Sequence, residues 1–328
     1  MSKSMRALVV QLPDSQTLAY RLSAVLNSSG PSGDRVIILA RESNPHRSTY
    51  PSEVVNCRLA NGSEVRLLCK YATRRRHDPY GHRRGVTYEA EVYHHVLKSL
   101  PVCAPTFYGL HKDAITDVAW FILEYIDKAV RVQDSRDPAL MYAAARWLGE
   151  FHQANESRLS IAALPFLHIY DAAYYLGWAA RTSQFAGSLH QLFPWLATLC
   201  RRFQDVVGCL LDPPAIIIHG EYYPNNILFL HGRIYPVDWE STAVATGEID
   251  LASLVERWPA TTVRSCIKAY ISARWPHGAP AGFEQKLDVA RLYWRFRWLG
   301  ERPDWTNERK SQWRFHELRS IGQRLGLI

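Results

Sequence analysis

In the stretch "IIIHGEYYPNNILFLHGRIYPVDWE", residues 216–240, two short apolar runs enclose a polar turn. The turn carries a carboxylate, Glu221, and five residues later an amide, Asn226. A second carboxylate, Asp238, closes the second run seventeen residues after Glu221. Phosphoryl transfer asks a protein for little covalent work. It needs divalent metal over the phosphates, a group that positions or deprotonates the accepting hydroxyl, and a cation. On a tight loop Glu221 can face an acceptor while the amide oxygen of Asn226 reaches a metal. A carboxylate at the end of a strand, as Asp238 would be, is aimed into a cleft. Hard oxygen ligands of this kind suit Mg²⁺. Three polar residues in this order between two buried runs argue against a chance hairpin.

The elements that must hold these residues are readable from periodicity. "MRALVVQ" reads as a short strand. "PDSQTLAYRLSAVLN" reads as a helix with Asp14 or Ser15 as N-cap and Leu18, Leu22, Val25 and Leu26 on one face. "NSSGPSGD" interrupts the chain. Three strand-like runs follow, "RVIILARE", "EVVNCRLANG" and "SEVRLLCKYA", and Asn61-Gly62 between the last two is a hairpin signal. "GVTYEAEVYHHVLKSL" has helical spacing, and "PVCAPTFYGL" and "DVAWFILEYI" read as strands. The order predicts a small antiparallel sheet with one helix packed across it. From about residue 128 the texture turns helical, opening with Asp137 as N-cap and Pro138 in the first turn. The expected division is an N-terminal lobe over 1–127, with 1–30 as an extension carrying a helix, and a C-terminal lobe over 128–328.

"HGEYYPNNIL…VDWE" resembles the aminoglycoside phosphotransferase and choline kinase family, in which His219, Gly220, Asn226, Ile227, Leu228, Asp238, Trp239 and Glu240 match as they stand. "TGEIDLASL" is similar to the segment that follows in that family, and "AARWLGEFHQ" to its helix ending in Leu-x-x-x-His. The resemblance spans roughly residues 16–300 and is stronger in the second lobe. It implies an α+β, protein-kinase-like two-lobed fold, with a small antiparallel sheet and one helix in the first lobe and a mainly helical second lobe. It implies ATP or GTP as co-substrate, Mg²⁺, and a small-molecule hydroxyl as acceptor. By residue, it implies that Lys70 and Glu89 form the ion pair gripping phosphates. Glu124, Tyr125 and Ile126 form the hinge that meets the nucleobase. Ser48 and Thr49, with Arg47, lie in the loop over the phosphates. Glu221 positions or deprotonates the acceptor, Asn226 and Asp238 hold metal, and Asp250 supports the loop. Glu240 binds a second metal or merely caps the next turn.

Two departures stand out. The family carries Asp where this chain has Glu221, and the loop "SNPHRSTYPS" contains no glycine. Glu and Asp are nearly equal bases, with ordinary pKa values of about 4.3 and about 3.9. The difference is geometric, and a misplacement of ~1 Å can cost ~100-fold in rate. A loose transition state tolerates it, because proton abstraction is a modest part of the barrier. A catalytically idle, kinase-shaped binding protein is the alternative. Each residue also has a plainer role. Lys70 can be a solvated strand lysine, Glu89 a surface partner of basic-loop arginines, and His219 and His152 structural histidines. Trp239 is expected to pack.

Composition bears on the acceptor. The chain has 328 residues and a net charge of +8. Residues 251–328 hold 14 Lys+Arg against 7 Asp+Glu, which argues against a polycationic acceptor and for a neutral or anionic one. Trp294, Phe296, Trp298, Trp305 and Trp313 can stack on a ring or fill a core, and a choline-like cation stays open. Arg295 and Arg297, alternating with them, read as surface. The basic loop "TRRRHDPYGHRR" either clamps a nucleotide or partner or is simply solvated. No nucleic-acid motif accompanies it, so a nucleic-acid partner is not expected. Six cysteines without a C-x-x-C pair imply buried free thiols and a reducing, cytoplasmic setting. No apolar run approaches the ~20 residues of a membrane span. Oligomeric state is not legible.

Overall fold

The computed structural model describes residues 12–26, 35–46, 50–72, 81–113, 118–135 and 137–328. The strand expected in "MRALVVQ" lies outside them. Contacts divide the chain into two units, residues 1–95 with 104–129, and residues 96–103 with 130–328.

In the first unit α1 (Ser15–Leu26) precedes β1 (Ile37–Ser43), β2 (Ser52–Arg58) and β3 (Glu64–Tyr71). The helix α2 (Val86–His95) and the strands β4 (Phe107–Lys112) and β5 (Ala119–Glu124) complete it. Asp14 caps α1, its Oδ1 accepting from the amides of Gln16 and Thr17 at 2.9 Å each. Between β2 and β3, Gly62 takes φ 82°, and the Asn61 side chain accepts from the Ser63 amide at 3.0 Å. That is the turn chemistry Asn-Gly supplies. The strands form one antiparallel sheet in the order β1-β2-β3-β5-β4.

Alternation along β3 and β5 sorts their residues to two faces. Leu67, Cys69 and Tyr71, with Ile122, join Leu18 and Leu22 of α1 in one core. The other face presents Lys70 and Phe121 toward α2, whose Tyr93 ring lies 5.8 Å from Phe107 and 5.5 Å from Phe121. The sheet is therefore covered by two helices, not the single one expected, because α1 buries its apolar stripe on the face that α2 leaves open.

The second unit begins with β6 (Val130–Arg131), α3 (Pro138–Arg158), β7 (His168–Ile169) and α4 (Ala172–Ala186). Three short helices follow, α5 (Leu189–Leu192), α6 (Leu196–Arg202) and α7 (Gly208–Leu211). Next come β8 (Ile216–Ile218), β9 (Ile227–Leu230), β10 (Arg233–Pro236) and β11 (Ala243–Ala245). The remainder is helical: α8 (Glu248–Leu254), α9 (Ala260–Arg274), α10 (Phe283–Leu299), α11 (Pro303–Asn307) and α12 (Gln312–Arg324). Asp137 caps α3 through the Ala139 amide at 2.9 Å, with Pro138 at its first position. The hairpin β9–β10 is extended by β6, and β11 pairs β8 antiparallel and β7 parallel. Trp147, Phe151, Tyr222 and Trp239 stack into a buried aromatic core between α3 and these strands.

The arginines of α10 correct a reading of the sequence. Arg295 and Arg297 are buried, not surface residues. Burial is possible because each has carboxylates against it: Glu256 and Glu317 for Arg295, Glu221 and Glu301 for Arg297. All six cysteines are free, and burial pushes the thiols of Cys57, Cys200 and Cys266 up to about 12, which leaves them unreactive. Among the described residues no helix is long and apolar enough to cross a membrane.

Helices α3 and α9 approach so closely at Gly149 that an added Cβ would stand 2.6 Å from the Tyr270 carbonyl oxygen and 2.7 Å from Ala273 Cβ. The obstruction is backbone and cannot swing away. Gly149→Ala should therefore destabilise the second unit by about 1–3 kcal/mol, read as a lowered denaturant midpoint. An unchanged midpoint would mean that α3 and α9 part without cost.

Candidate active site

The turn after β8 is fixed by a carboxylate from elsewhere. Asp250, near the start of α8 and fully buried, accepts from the backbone amides of His219 at 2.7 Å and Gly220 at 2.9 Å. His152, near the end of α3, adds its Nε2 at 3.3 Å, and its Nδ1 meets the Tyr270 hydroxyl at 3.0 Å. Because Asp250 can only accept, His152 carries its proton on Nε2, and Tyr270 donates to Nδ1. Arg274 in turn donates to the Tyr270 oxygen at 2.5 Å. His219 bridges within the turn: its Nδ1 accepts from the Glu221 amide at 3.3 Å, and its Nε2 donates to the Val237 carbonyl at 3.1 Å. This is a scaffold role, not that of a base. Gly220 takes φ 81°, and a Cβ there would lie 2.1 Å from the Ser241 carbonyl oxygen, so the turn admits glycine alone.

Glu221 follows directly and is buried. Its Oε2 accepts from the Ser241 hydroxyl at 3.1 Å, and its Oε1 from the Arg297 guanidinium. Arg297 reaches Glu301, just past the end of α10, at 3.4 Å, and lies over the rings of Trp294 at 5.2 Å and Trp298 at 4.9 Å. Arg297 and Ser241 were not legible as site residues. The partners of Glu221 lie 76 and 20 residues away, and the only local signal is two arginines in the otherwise apolar run "WRFRWL".

Asn226 and Asp238 are brought together by the hairpin. Its last ladder pair is Ile227 with Pro236, and the next rung is the Val237 amide donating to the Asn226 carbonyl at 2.9 Å. Asp238 comes immediately after and takes a left-handed backbone, φ 72° and ψ 58°, which Asp tolerates better than most residues. The Asn226 side-chain amide donates to the Glu221 carbonyl at 3.2 Å, which leaves its oxygen as the acceptor. Two oxygen donors at adjacent rungs fit Mg²⁺, which takes one or two protein ligands and completes its shell with water and phosphate. No group of three or more His, Cys, Asp or Glu in metal-holding arrangement occurs among the described residues. Glu240 lies buried in the single turn Trp239–Ser241.

In the first unit Lys70 Nζ sits 2.9 and 3.1 Å from the two carboxylate oxygens of Glu89, both side chains buried. At the end of β5 the Glu124 amide donates to the Thr106 carbonyl and the Tyr125 amide to the Arg66 carbonyl. The Glu124 carboxylate is bound by Thr106. Arg47, Ser48 and Thr49, and residues 73–80 of the basic loop, lie outside the described residues.

The sequence profile of the phosphotransferase enzyme family (APH) matches residues 60–284, over two thirds of the chain. The chain belongs to that family. Its fold is similar to the GDP complex of an aminoglycoside 2'-phosphotransferase (TM-score 0.62, 12% identity, covering 93% of this chain and 98% of that one). It is also similar to a choline kinase from Streptococcus pneumoniae (0.60, 12%, 95% and 99%) and a macrolide 2'-phosphotransferase from Brachybacterium faecium (0.55, 17%, 91% and 98%). No curated protein matches by sequence.

Two predictions follow from the geometry. Removing one member of a buried ion pair strands the other charge, so Arg297→Met should cost about 3–5 kcal/mol. Glu221→Gln introduced beside it should recover a large part of that loss in a double-mutant cycle; additive single costs would show that the pair is not coupled. The second concerns pH. Burial holds His152 and His219 below the ordinary 6.5, although Asp250, Asp238 and Glu221 pull the other way. Each therefore binds a proton more readily when unfolded. Stability is fully present above about pH 6.5 and drains as pH falls toward the folded values. The melting temperature should drop between about pH 7 and about pH 5, with a smaller drop in His152→Gln; equal slopes in the two proteins would overturn the assignment.

Proposed function

We propose that the chain is a small-molecule kinase that transfers the γ-phosphoryl group of ATP or GTP, with Mg²⁺, to a hydroxyl of a neutral or anionic acceptor. The observation that carries this reading is the backbone pairing of Asn226 with Val237, which puts Asn226 and Asp238 at neighbouring positions of one hairpin end, next to the turn that bears Glu221. Family membership supports it, and so does the GDP bound by a structural relative.

Lys70, oriented by Glu89, takes the phosphates. Ser48 and Thr49 offer them hydroxyl donors. At the hinge of Glu124, Tyr125 and Ile126, the first two amides are already spent, so the Ile126 N–H is the donor for a nucleobase. Asn226 and Asp238 would hold Mg²⁺, with Glu240 as candidate for a second ion, and the metal when bound would supply charge neutralisation at the phosphates. Glu221 orients the acceptor hydroxyl. Its oxygen bonds to the γ-phosphorus as the bond to the β-phosphate oxygen breaks, and its proton passes late to Glu221. An arginine-paired carboxylate suits orientation better than early proton abstraction, and a loose transition state asks for no more.

A second reading, an idle kinase-fold binding protein, is favoured by one observation: Glu221 is buried with both oxygens engaged, by Arg297 and Ser241. A thermal-shift titration and a nucleotide-turnover screen over hydroxylated metabolites test the two. Under the kinase reading ATP or GTP with Mg²⁺ stabilises the protein, by about 2.7 kcal/mol at a hundred times its Kd. One class of acceptor then drives nucleoside diphosphate release, and Glu221→Gln cuts that release about 100-fold without weakening nucleotide binding. Binding without any turnover would favour the idle reading, and no stabilisation by either nucleotide would sink the kinase.

A further inference from the structure

Around the C-terminal end of α10 the second unit carries a half-open pocket of about 180 Å³, lined by Trp298, Trp305, Glu308, Lys310, Ser311 and Arg314. Its two indoles lie 5.8 Å apart and tilted by 31°. Arg314, half-buried on α12, packs over Trp298 at 5.1 Å and Trp313 at 4.5 Å. Unlike Arg295 and Arg297, it has no carboxylate against it. Among the described residues its buried Nε has no hydrogen-bond partner and its guanidinium no ion pair. The buried indole N–H of Trp298 likewise has no acceptor. Glu308 does not neutralise Arg314, because Glu308 is paired with Lys310 at 2.9 Å.

An arginine left without a counter-ion in a partly buried place is costly unless a ligand completes it. Burial and the neighbouring Arg295, Arg257 and Arg297 hold its pKa below the usual arginine range, with only Glu256 pulling it up, so local charge is in excess on the positive side. The size selects the ligand further. A dry cavity of ~150 Å³ holds benzene, so a pocket of this volume takes a single ring with a small substituent. Flat indole walls favour a flat ring, and a guanidinium favours a carboxylate or phosphate in its plane.

The pocket shares a wall with the candidate chemistry. Trp298 lies under the guanidinium of Arg297, which holds Glu221, and its ring is 6.2 Å from Tyr223 in the same turn as Glu221.

We propose that this pocket is the acceptor subsite and that it takes a single planar ring bearing an anionic group, packed against the indoles of Trp298 and Trp305 with its charge on Arg314. The ligand class follows from the pocket alone, while its role as acceptor rests on the kinase reading above.

Isothermal titration calorimetry on the whole chain tests it with benzoate, phenyl phosphate, inorganic phosphate, benzyl alcohol and benzylammonium. Benzoate and phenyl phosphate should bind, and benzyl alcohol at least about tenfold more weakly, because a charge-assisted bond is missing. Benzylammonium should not bind. Arg314→Gln should weaken benzoate about tenfold or more, while Arg314→Lys restores part of the affinity. Both variants should keep the wild-type affinity for Mg²⁺-nucleotide, which reports an intact fold. Benzylammonium binding as tightly as benzoate, inorganic phosphate matching phenyl phosphate, or an unchanged affinity in Arg314→Gln would each overturn the subsite. The two readings fail separately: benzoate binding without nucleotide binding removes the kinase and leaves the anion site, and nucleotide binding without benzoate binding does the reverse.

Discussion

A single buried carboxylate holds the centre of the second unit. Asp250 has no exposed surface, and a charge so placed must be matched by donors or it is neutralised. Two consecutive amides, of His219 and Gly220, do most of the matching. Consecutive donors on one acceptor fix both the place and the orientation of a turn, because rotation about either residue breaks at least one bond. Through His152 the same carboxylate engages α3, and through Tyr270 and Arg274 that contact extends to α9. The tight contact of α3 and α9 at Gly149 and the aim of the Glu221 side chain are thus parts of one hydrogen-bonded arrangement.

Glu221 itself is held from a different direction. Its partner Arg297 is on α10, and both are buried. Desolvating two ions costs several kcal/mol each, and their attraction roughly offsets that cost, so such a pair adds little net stability over an apolar equivalent. What it contributes is position. An Asp from the same backbone would end one carbon–carbon bond short, about 1.5 Å. The Glu that breaks the family pattern is the residue long enough for this contact, and Glu301 and the faces of Trp294 and Trp298 keep Arg297 where the contact can form. The departure in the motif and the buried arginine in α10 therefore belong together: one supplies reach, the other the charge to be reached.

How much of this was legible depended on the range of the interaction. The Asn61-Gly62 turn, the Asp14 and Asp137 caps and the packing of Trp239 follow from neighbours a few residues away, so local sequence carries them. The five-stranded sheet was legible because alternation and turn residues both signal it. Lys70 with Glu89, and Asp250 beneath the turn, were legible only through resemblance, since nothing local distinguishes Lys70 from a solvated lysine. Arg295 and Arg297 were misread. An arginine in a helix defaults to the surface, and only carboxylates as distant as Glu221 and Glu256 make burial affordable. The helix α1 was legible, but its packing on the sheet was not, for a related reason: α1 is separated from the strands it covers by a Ser/Gly/Pro stretch that reads as a break.

The same accounting of charge bears on what the second unit can bind. Its last 78 residues carry a twofold excess of basic over acidic side chains, yet the excess is not uniformly spread. Arg295, Arg297 and Arg324 are each matched by carboxylates, and Arg274 by Glu156. Matched pairs leave little field for a ligand, because the opposite charge is already in contact. Arg314 differs, with indole faces as its neighbours and no carboxylate against it. The ring quadrupole stabilises a guanidinium by only about 0.5–2 kcal/mol, less than an ion pair in the same surroundings. A positive charge so weakly compensated repels an ammonium and attracts an oxyanion. A polycationic acceptor would need the carboxylates of this region to be free, and here Glu256, Asp288, Glu301 and Glu317 are spent on arginines.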